Sequence, residues 1–331
     1  MRAILVGFGF IGRNLVKSIR DKLAVIKSFH PQFKLVGISD VEGFLFDEEG
    51  LDLERASSIS KITEYFEKIH EGSSIELIER SEADVLIEAT PTNVVDGQPG
   101  LSHIEKALNL GMHVVTSNKG PLVIAFKRLM DLAKRKGVEL KYEATVAGAI
   151  PIFSLVRDCL RGNHVRKIYG ILNGTTNYIL SRMHFDDVSF EVALREAQER
   201  GIAERDPTYD VEGIDAACKV VILANAILGK DAKINDVKRE GIKRVSREAV
   251  RLARKAGYAI KLVAVVGDRL EVGPRLVALN HPICVHGTLN AVHLETDLAG
   301  EITVVGPGAG EETVSAIIND LLSLPMSGGY R

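Results

Sequence analysis

Five carboxylates, Glu204, Asp206, Asp210, Glu212 and Asp215, run ahead of Lys219 in "ERDPTYDVEGIDAACKVVILANAIL". Asp215 and Lys219 are four residues apart, a spacing that lets the two side chains meet on one helix face. Ala216, Ala217 and Cys218 precede the lysine, and Val220, Val221, Ile222 and Leu223 follow it. Much of this helix must therefore be buried, and an unpaired ammonium is too costly to keep in such surroundings. A lysine held there by acids either donates hydrogen bonds and moves protons at a site, or belongs to a structural ion pair. A second lysine, Lys119 in "TSNKGPL", directly follows an apolar strand candidate. Ligands bind at that edge of a doubly wound sheet, although a loop lysine taken alone is ordinarily just solvated.

A third group of residues points to phosphate. "VGFGFIG" sets Gly7, Gly9 and Gly12 in the pattern G-x-G-x-x-G, with Phe10 and Ile11 inside it, between a strand and a helix. In that context the first glycine makes the tight turn and the second admits a pyrophosphate close to the backbone. The third lets helix and strand pack, while the helix N-terminus supplies N–H donors. The expected ligand is NAD or NADP. Asp40 ends the second strand candidate, where a carboxylate would bind a ribose 2′-hydroxyl and repel a 2′-phosphate. It stands farther along than the usual spacing, and aspartate is also a common turn former. No Lys or Arg occurs between Asp40 and Arg55 to clamp a phosphate.

The elements that must carry these residues alternate over the first third of the chain. Apolar runs "RAILVG", "KLVGISD", "ADVLIEAT" and "HVVTSN" are separated by helical patterns, one through "GRNLVKSIRDKLAVIKSF" and another near residues 62–80. This predicts βαβ units, and so a Rossmann-like α/β fold with a doubly wound parallel sheet. Later segments differ. Helices in "IPIFSLVRDCL", "SFEVALREAQERG" and "IDAACKVVILANAIL" surround strands in "RKIYGILNG", "AIKLVAVVG", "RLEVGPRLVAL" and "EITVVG", a second α+β domain. "GAGEETVSAIINDLLSL" reads as a closing helix. The expected boundaries are 1–137 with 306–331 for the dinucleotide-binding domain and 138–305 for the other.

Composition narrows the function classes. Of 331 residues 46% are hydrophobic and 26% charged, and the formal net charge is −2. That balance offers no electrostatic footprint for nucleic acid or an anionic membrane surface. No run approaches the roughly 18–20 apolar residues of a membrane span, and the N-terminal apolar run enters a glycine turn without a cleavage site. A cytoplasmic location is the expectation. Cys159, Cys218 and Cys284 lie far apart in apolar contexts, which predicts buried free thiols.

With these pieces assembled, the chain resembles the homoserine dehydrogenases, enzymes that interconvert L-aspartate 4-semialdehyde and L-homoserine with a nicotinamide cofactor. The resemblance rests on "GFGFIG", "TSNKGPL", "YEATVAGAIPI", "ILNGTTNYIL", "AQERGIAERDPTYDVEGIDAACK" and "GPGAG", in the family's order. It implies that Lys119 and Lys219 face each other across an interdomain cleft and act at the substrate C4 oxygen, with Asp215 orienting Lys219. Glu204 and Asp210 would hold the substrate ammonium, and Gly174 and Thr175 would line the substrate loop. Thr90 and Pro91 would lie along the nicotinamide, with Gly308 and Gly310 closing over the cofactor. Glu143 and the carbonyls of Val146, Gly148 and Ile150 match a site for sodium or potassium, with Ala147 and Gly148 departing from the pattern. A homodimer acting on an amino-acid substrate is implied, with the second domain serving catalysis and dimerisation, as is a short form without the appended regulatory domain of many relatives. From a different class comes the alternative of a catalytically silent dinucleotide sensor, which would bind cofactor without turnover.

Overall fold

Arg2–Val6, the first apolar run, becomes the central strand (β1) of a seven-stranded sheet in the computed structural model, which describes residues 1–308 and 310–325. β1 feeds the glycine loop into α1 (Phe10–Asp21), whose Gly12, Leu15, Val16 and Ile19 form one buried face. The single helix expected through residue 29 is broken at Lys22 (φ −103°, ψ 13°), and α2 (Leu23–Phe29) continues separately. β2 (Lys34–Asp40) returns parallel to β1, followed by antiparallel β3 (Gly43–Phe46) and by α3 (Leu53–Ser58), capped by Asp52.

The one helix expected near residues 62–80 is also corrected. Two 3-10 turns at Ile62–Glu64 and Phe66–Lys68 lead to β4 (Ile69–His70), and only α4 (Ser74–Arg80) is α-helical. Gly72, at φ +148°, and the capping hydroxyl of Ser73 restart the chain there. β5 (Val85–Glu88), α5 (Gly100–Asn109), β6 (His113–Thr116), α6 (Lys119–Lys136) and β7 (Leu140–Lys141) complete the sheet in the order β4-β3-β2-β1-β5-β6-β7. Pairing is parallel from β2 through β7 and antiparallel at the β3 and β4 edge. Strand order therefore reverses between β1 and β5, the switch point at which open α/β sheets bind ligands.

The second compact unit begins at Val146. α7 (Ile152–Ser154) is a single turn that widens into a π-helical turn over Leu155–Cys159, where Leu160 N–H reaches back to Leu155 O at 3.2 Å. Then come β8 (Val165–Ile171), α8 (Gly174–Asp186), α9 (Phe190–Glu199), α10 (Thr208–Val211), α11 (Ile214–Leu228), β9 (Lys238–Arg239), α12 (Arg247–Lys255), β10 (Tyr258–Val266), β11 (Leu270–Ala278), β12 (Leu289–Thr296) and β13 (Glu301–Pro307). They build a six-stranded sheet, β13-β12-β8-β10-β11-β9, antiparallel except for β11 with β9. α8 packs on β10 and β12, and α11 on β8, β10 and β11. α11 is buried continuously from Asp215 to Asn225, as its apolar run requires.

Finally α13 (Glu312–Leu322) packs against α1 in the first unit. The first unit runs to Thr145 and resumes at Gly310, so the division falls at 145/146 and 309/310 instead of 137/138 and 305/306. β7 is what moves it, by pairing with β6, and the Glu143 N–H donates to Asp320 of α13 at 2.8 Å. Ala309 and residues 326–331, part of the C-terminal stretch expected to join this unit, lie outside the described residues. No helix among the described residues is long and apolar enough to cross a membrane. The cysteines are free, Cys218 buried and Cys284 partly so, whereas Cys159 is exposed on the π-helical turn, contrary to expectation.

Candidate active site

The glycine loop occupies the switch point. Gly7 sits at φ +105°, and a Cβ there would lie 2.5 Å from Ala89 O, beyond the end of β5. Only glycine fits that approach. A Cβ on Gly12 would collide with the Gly7 carbonyl, whereas one on Gly9 would meet no atom within 4 Å. Gly9 and Phe10 are exposed and Ile11 is half-buried, so the open N-terminus of α1 presents its donors to solvent. An anionic pyrophosphate fits this cradle. Asp40 accepts the Glu42 N–H at 2.7 Å, closing the β2–β3 turn, and burial pushes its carboxyl above the ordinary range. The turn-forming role expected of it is present, and one carboxylate oxygen is engaged in it.

Thr90 and Pro91 follow β5 and are tied to the start of α6. Asn118 caps α6 through Oδ1, which accepts the Gly120 N–H at 2.9 Å. Its Nδ2 donates to Thr90 Oγ1 at 3.1 Å and to Pro91 O at 3.3 Å. Lys119 is the first residue of this helix and is half-buried.

In the second unit, the acidic stretch divides by geometry. Lys219 Nζ donates to Asp215 Oδ2 at 2.7 Å and to Leu172 O at 2.5 Å, with side-chain exposures of 8% and 9% for the pair. Asn173 Nδ2 bridges Asp210 Oδ1 at 2.7 Å and Asp215 Oδ2 at 3.0 Å. Burial and then the neighbouring Asp215 charge raise the Asp210 carboxyl above its ordinary value, opposed by the Asn173 hydrogen bond and the Lys219 ammonium. The other acids are not part of this hydrogen-bonded group. Glu204 is exposed, Asp206 accepts the Thr208 N–H at 3.1 Å, and Glu212 pairs with Lys243 at 2.8 Å.

Asn173, whose role the sequence pattern does not reveal, also caps α8, accepting the Thr176 N–H on Oδ1 at 2.9 Å. Its signal was an asparagine directly before a helix start, a preferred capping residue. Gly174 and Thr175 open that helix, and Thr175 Oγ1 donates to Ile202 O at 3.0 Å. Tyr209 is a second residue that only the structure brings to this group; its hydroxyl lies 3.3 Å from Cys218 Sγ, and burial raises its pKa.

Glu143 is buried in a 3-10 turn of the first unit, and Val146, Gly148 and Ile150 are buried in the second. Ala147 (φ +59°) and Gly148 (φ +57°) are successive left-handed residues, so Ala147 adopts a conformation that favours glycine. A Cβ on Gly148 would lie 2.5 Å from the Gly308 carbonyl carbon. The Ile150 carbonyl accepts the Ile152 N–H at 2.9 Å, which leaves it a second lone pair. Such hard oxygen atoms suit a monovalent cation. Gly308 packs against the Asn290 side chain and Gly310 sits at φ +95°.

Comparison with known proteins gives concordant matches. The family model for homoserine dehydrogenase matches residues 151–322, and the one for the homoserine dehydrogenase NAD binding domain matches residues 7–143. Homoserine dehydrogenase of Methanocaldococcus jannaschii is 48% identical over 98% of both chains. A crystal structure from Archaeoglobus fulgidus, assigned as a homoserine dehydrogenase, aligns with a TM-score of 0.90 at 43% identity over 97% of this chain and 98% of that one. A hyperthermophilic archaeal homoserine dehydrogenase mutant in complex with NADPH aligns with a TM-score of 0.83 at 29% identity over 97% of both.

Proposed function

The chain belongs to the homoserine dehydrogenase family, and on that premise we propose how its residues divide the work of interconverting L-homoserine and L-aspartate 4-semialdehyde. When bound, NAD or NADP supplies the hydride chemistry at C4. Gly7, Gly9 and Gly12, with Phe10 and Ile11, hold the pyrophosphate on the α1 N-terminus; Asp40, Thr90, Pro91, Gly308 and Gly310 take the remaining cofactor contacts. The protein must also manage a proton, because the C4 oxygen is a hydroxyl in one substrate and a carbonyl in the other.

Two of the three Lys219 N–H donors are engaged by Asp215 and Leu172 O, leaving the third for that oxygen. A hydrogen bond there stabilises the negative charge that develops as hydride is transferred. Asp215 fixes the direction of Lys219 and supports proton exchange, and Lys119 serves positioning and proton transfer. Asp210, with Glu204, takes the substrate ammonium, beside Gly174 and Thr175. The turn over residues 146–150, with Glu143, is the proposed holder of sodium or potassium. The reading extends to a homodimer, a cytoplasmic location and a place in the biosynthesis of threonine, methionine and isoleucine.

The observation that carries this reading is the buried Lys219–Asp215 pair, joined through Asn173 to Asp210. It predicts reduced-cofactor formation from L-homoserine and at least about a hundredfold lower kcat/KM for 4-hydroxybutanoate, which lacks the ammonium. Equal turnover of both alcohols would overturn the assignment of the acids. A silent sensor would bind dinucleotide and turn over neither, but no observation here favours it.

A further inference from the structure

Glu88 ends β5 and its side chain is 0% exposed, without a lysine or arginine salt bridge among the described residues. Three donors converge on its carboxylate. Thr90 N–H and Thr90 Oγ1 reach Oε1, the former at 3.2 Å, and Thr116 Oγ1 reaches Oε2 at 3.1 Å. The same two hydroxyls accept from one residue: Asn118 N–H donates to Thr116 Oγ1 at 3.0 Å, and Asn118 Nδ2 donates to Thr90 Oγ1 at 3.1 Å. Each hydroxyl has one proton. Because both protons point at Glu88, both oxygens turn lone pairs toward Asn118, and that polarity is set by a carboxylate that only accepts. Asn118 in turn caps α6 immediately before Lys119.

The N-terminal turn of α5 closes over this group. A Cβ on Gly100 would lie 2.6 Å from Asn118 Nδ2 and 3.1 Å from Glu88 Oε1, and His103 Nδ1 stands 3.8 Å from the same oxygen. The carboxylate is thus locked between two strand ends and a helix terminus, whose dipole favours negative charge.

We propose that Glu88 is a positioning residue for the dehydrogenase reaction: through Thr90, Thr116 and Asn118 it fixes the start of α6, and with it Lys119, along with the Thr90–Pro91 ledge. The inference rests on the assignment of Lys119 to the reaction. Glu88→Gln is the informative change, because its NH2 group must face one of the two threonine hydroxyls. That hydroxyl then has to accept from the amide, and its bond from Asn118 is weakened or lost.

The test is a double-mutant cycle on homoserine oxidation with Glu88→Gln, Lys119→Ala and the pair, together with Thr116→Val and Thr116→Ser. Misplacement on the ångström scale predicts a fall in kcat of about 10- to 100-fold for Glu88→Gln, with the KM for homoserine little changed. The pair is expected to be no slower than Lys119→Ala alone, since an already absent amine cannot be misplaced. Thr116→Val should follow Glu88→Gln and Thr116→Ser should restore most of the rate, which keeps the test valid if Glu88→Gln does not fold. Wild-type kcat in Glu88→Gln, or losses that multiply in the pair, would overturn the positioning role. Full activity in Lys119→Ala would instead overturn the assignment of Lys119 on which it stands.

Discussion

Replacing Asn173 separates two jobs performed by one side chain. Its Oδ1 caps α8 at 2.9 Å from Thr176 N, and its Nδ2 joins Asp210 and Asp215 at 2.7 and 3.0 Å. Asn173→Ala removes the cap, at about 1 kcal/mol. It also takes a donor from two carboxylates in largely buried surroundings, at about 1–3 kcal/mol. The sum is about 2–4 kcal/mol, or a thermal midpoint lowered by roughly 5–15 °C for a unit of this size. Asn173→Ser keeps a capping oxygen but is too short to bridge, so it should recover about 1 kcal/mol of that loss. Both variants also remove the hydrogen bond that opposes the rise of the Asp210 pKa. If ionised Asp210 binds the substrate ammonium, the acid limb of kcat/KM for homoserine moves to higher pH in both. Calorimetry and a pH–rate profile read the two effects separately. A serine variant that matches the wild type in both, while the alanine variant does not, would leave the cap as the whole function of Asn173 and refute the bridge.

Other expectations follow from the same geometry. Gly7→Ala forces a side chain to φ +105° and against Ala89 O at 2.5 Å, so dinucleotide affinity measured by fluorescence titration should fall by tenfold or more. Asp40→Gly should raise the kcat/KM with NADP relative to that with NAD, by removing a carboxylate that repels a 2′-phosphate; an unchanged ratio would leave Asp40 as a turn residue only. Lys261 is 1% exposed and bonded to Asn177 Oδ1 at 2.7 Å and Ser181 Oγ at 3.2 Å, with His286 Nδ1 at 3.3 Å. Burial lowers its pKa from 10.5 to about 8. Between those values the unfolded chain binds the extra proton, so this residue makes stability rise with pH across that window, by up to about 3 kcal/mol. Denaturant titrations at pH 8 and 10 should show a stability gain in the intact protein that exceeds the gain in Lys261→Met.

Some of this molecule was legible in its residues and some was not, for identifiable reasons. The Lys219–Asp215 pair follows from a four-residue spacing inside an apolar run, and the glycine loop from three positions between a strand and a helix. Both are local patterns. Asn173, Glu88 and Asn118 act by joining segments far apart in sequence, so only tertiary structure reveals them, although the two asparagines carried the weak signal of a helix cap. Glu204 and Asp210 looked equivalent in an acidic stretch, yet only Asp210 turns toward Asn173, because α10 and the turn at Gly213 set its direction. α8 gives no clear sequence signal because its interior is buried almost all round and its early Thr175–Thr176 pair obscures a helical period. The break at Lys22 and the π-helical turn after α7 likewise leave little trace in hydrophobic pattern.

In the proposed reaction everything turns on Lys219, which Asp215 holds toward the C4 oxygen of homoserine. The most direct test of that role is nicotinamide absorbance at about 340 nm with L-homoserine and NAD or NADP, comparing the intact protein with Lys219→Ala, since the reduced cofactor absorbs there. Reduced cofactor is expected from the intact protein, and a loss of at least about a hundredfold in kcat from a variant that still folds and binds dinucleotide. Undiminished turnover by that variant would contradict the role of Lys219.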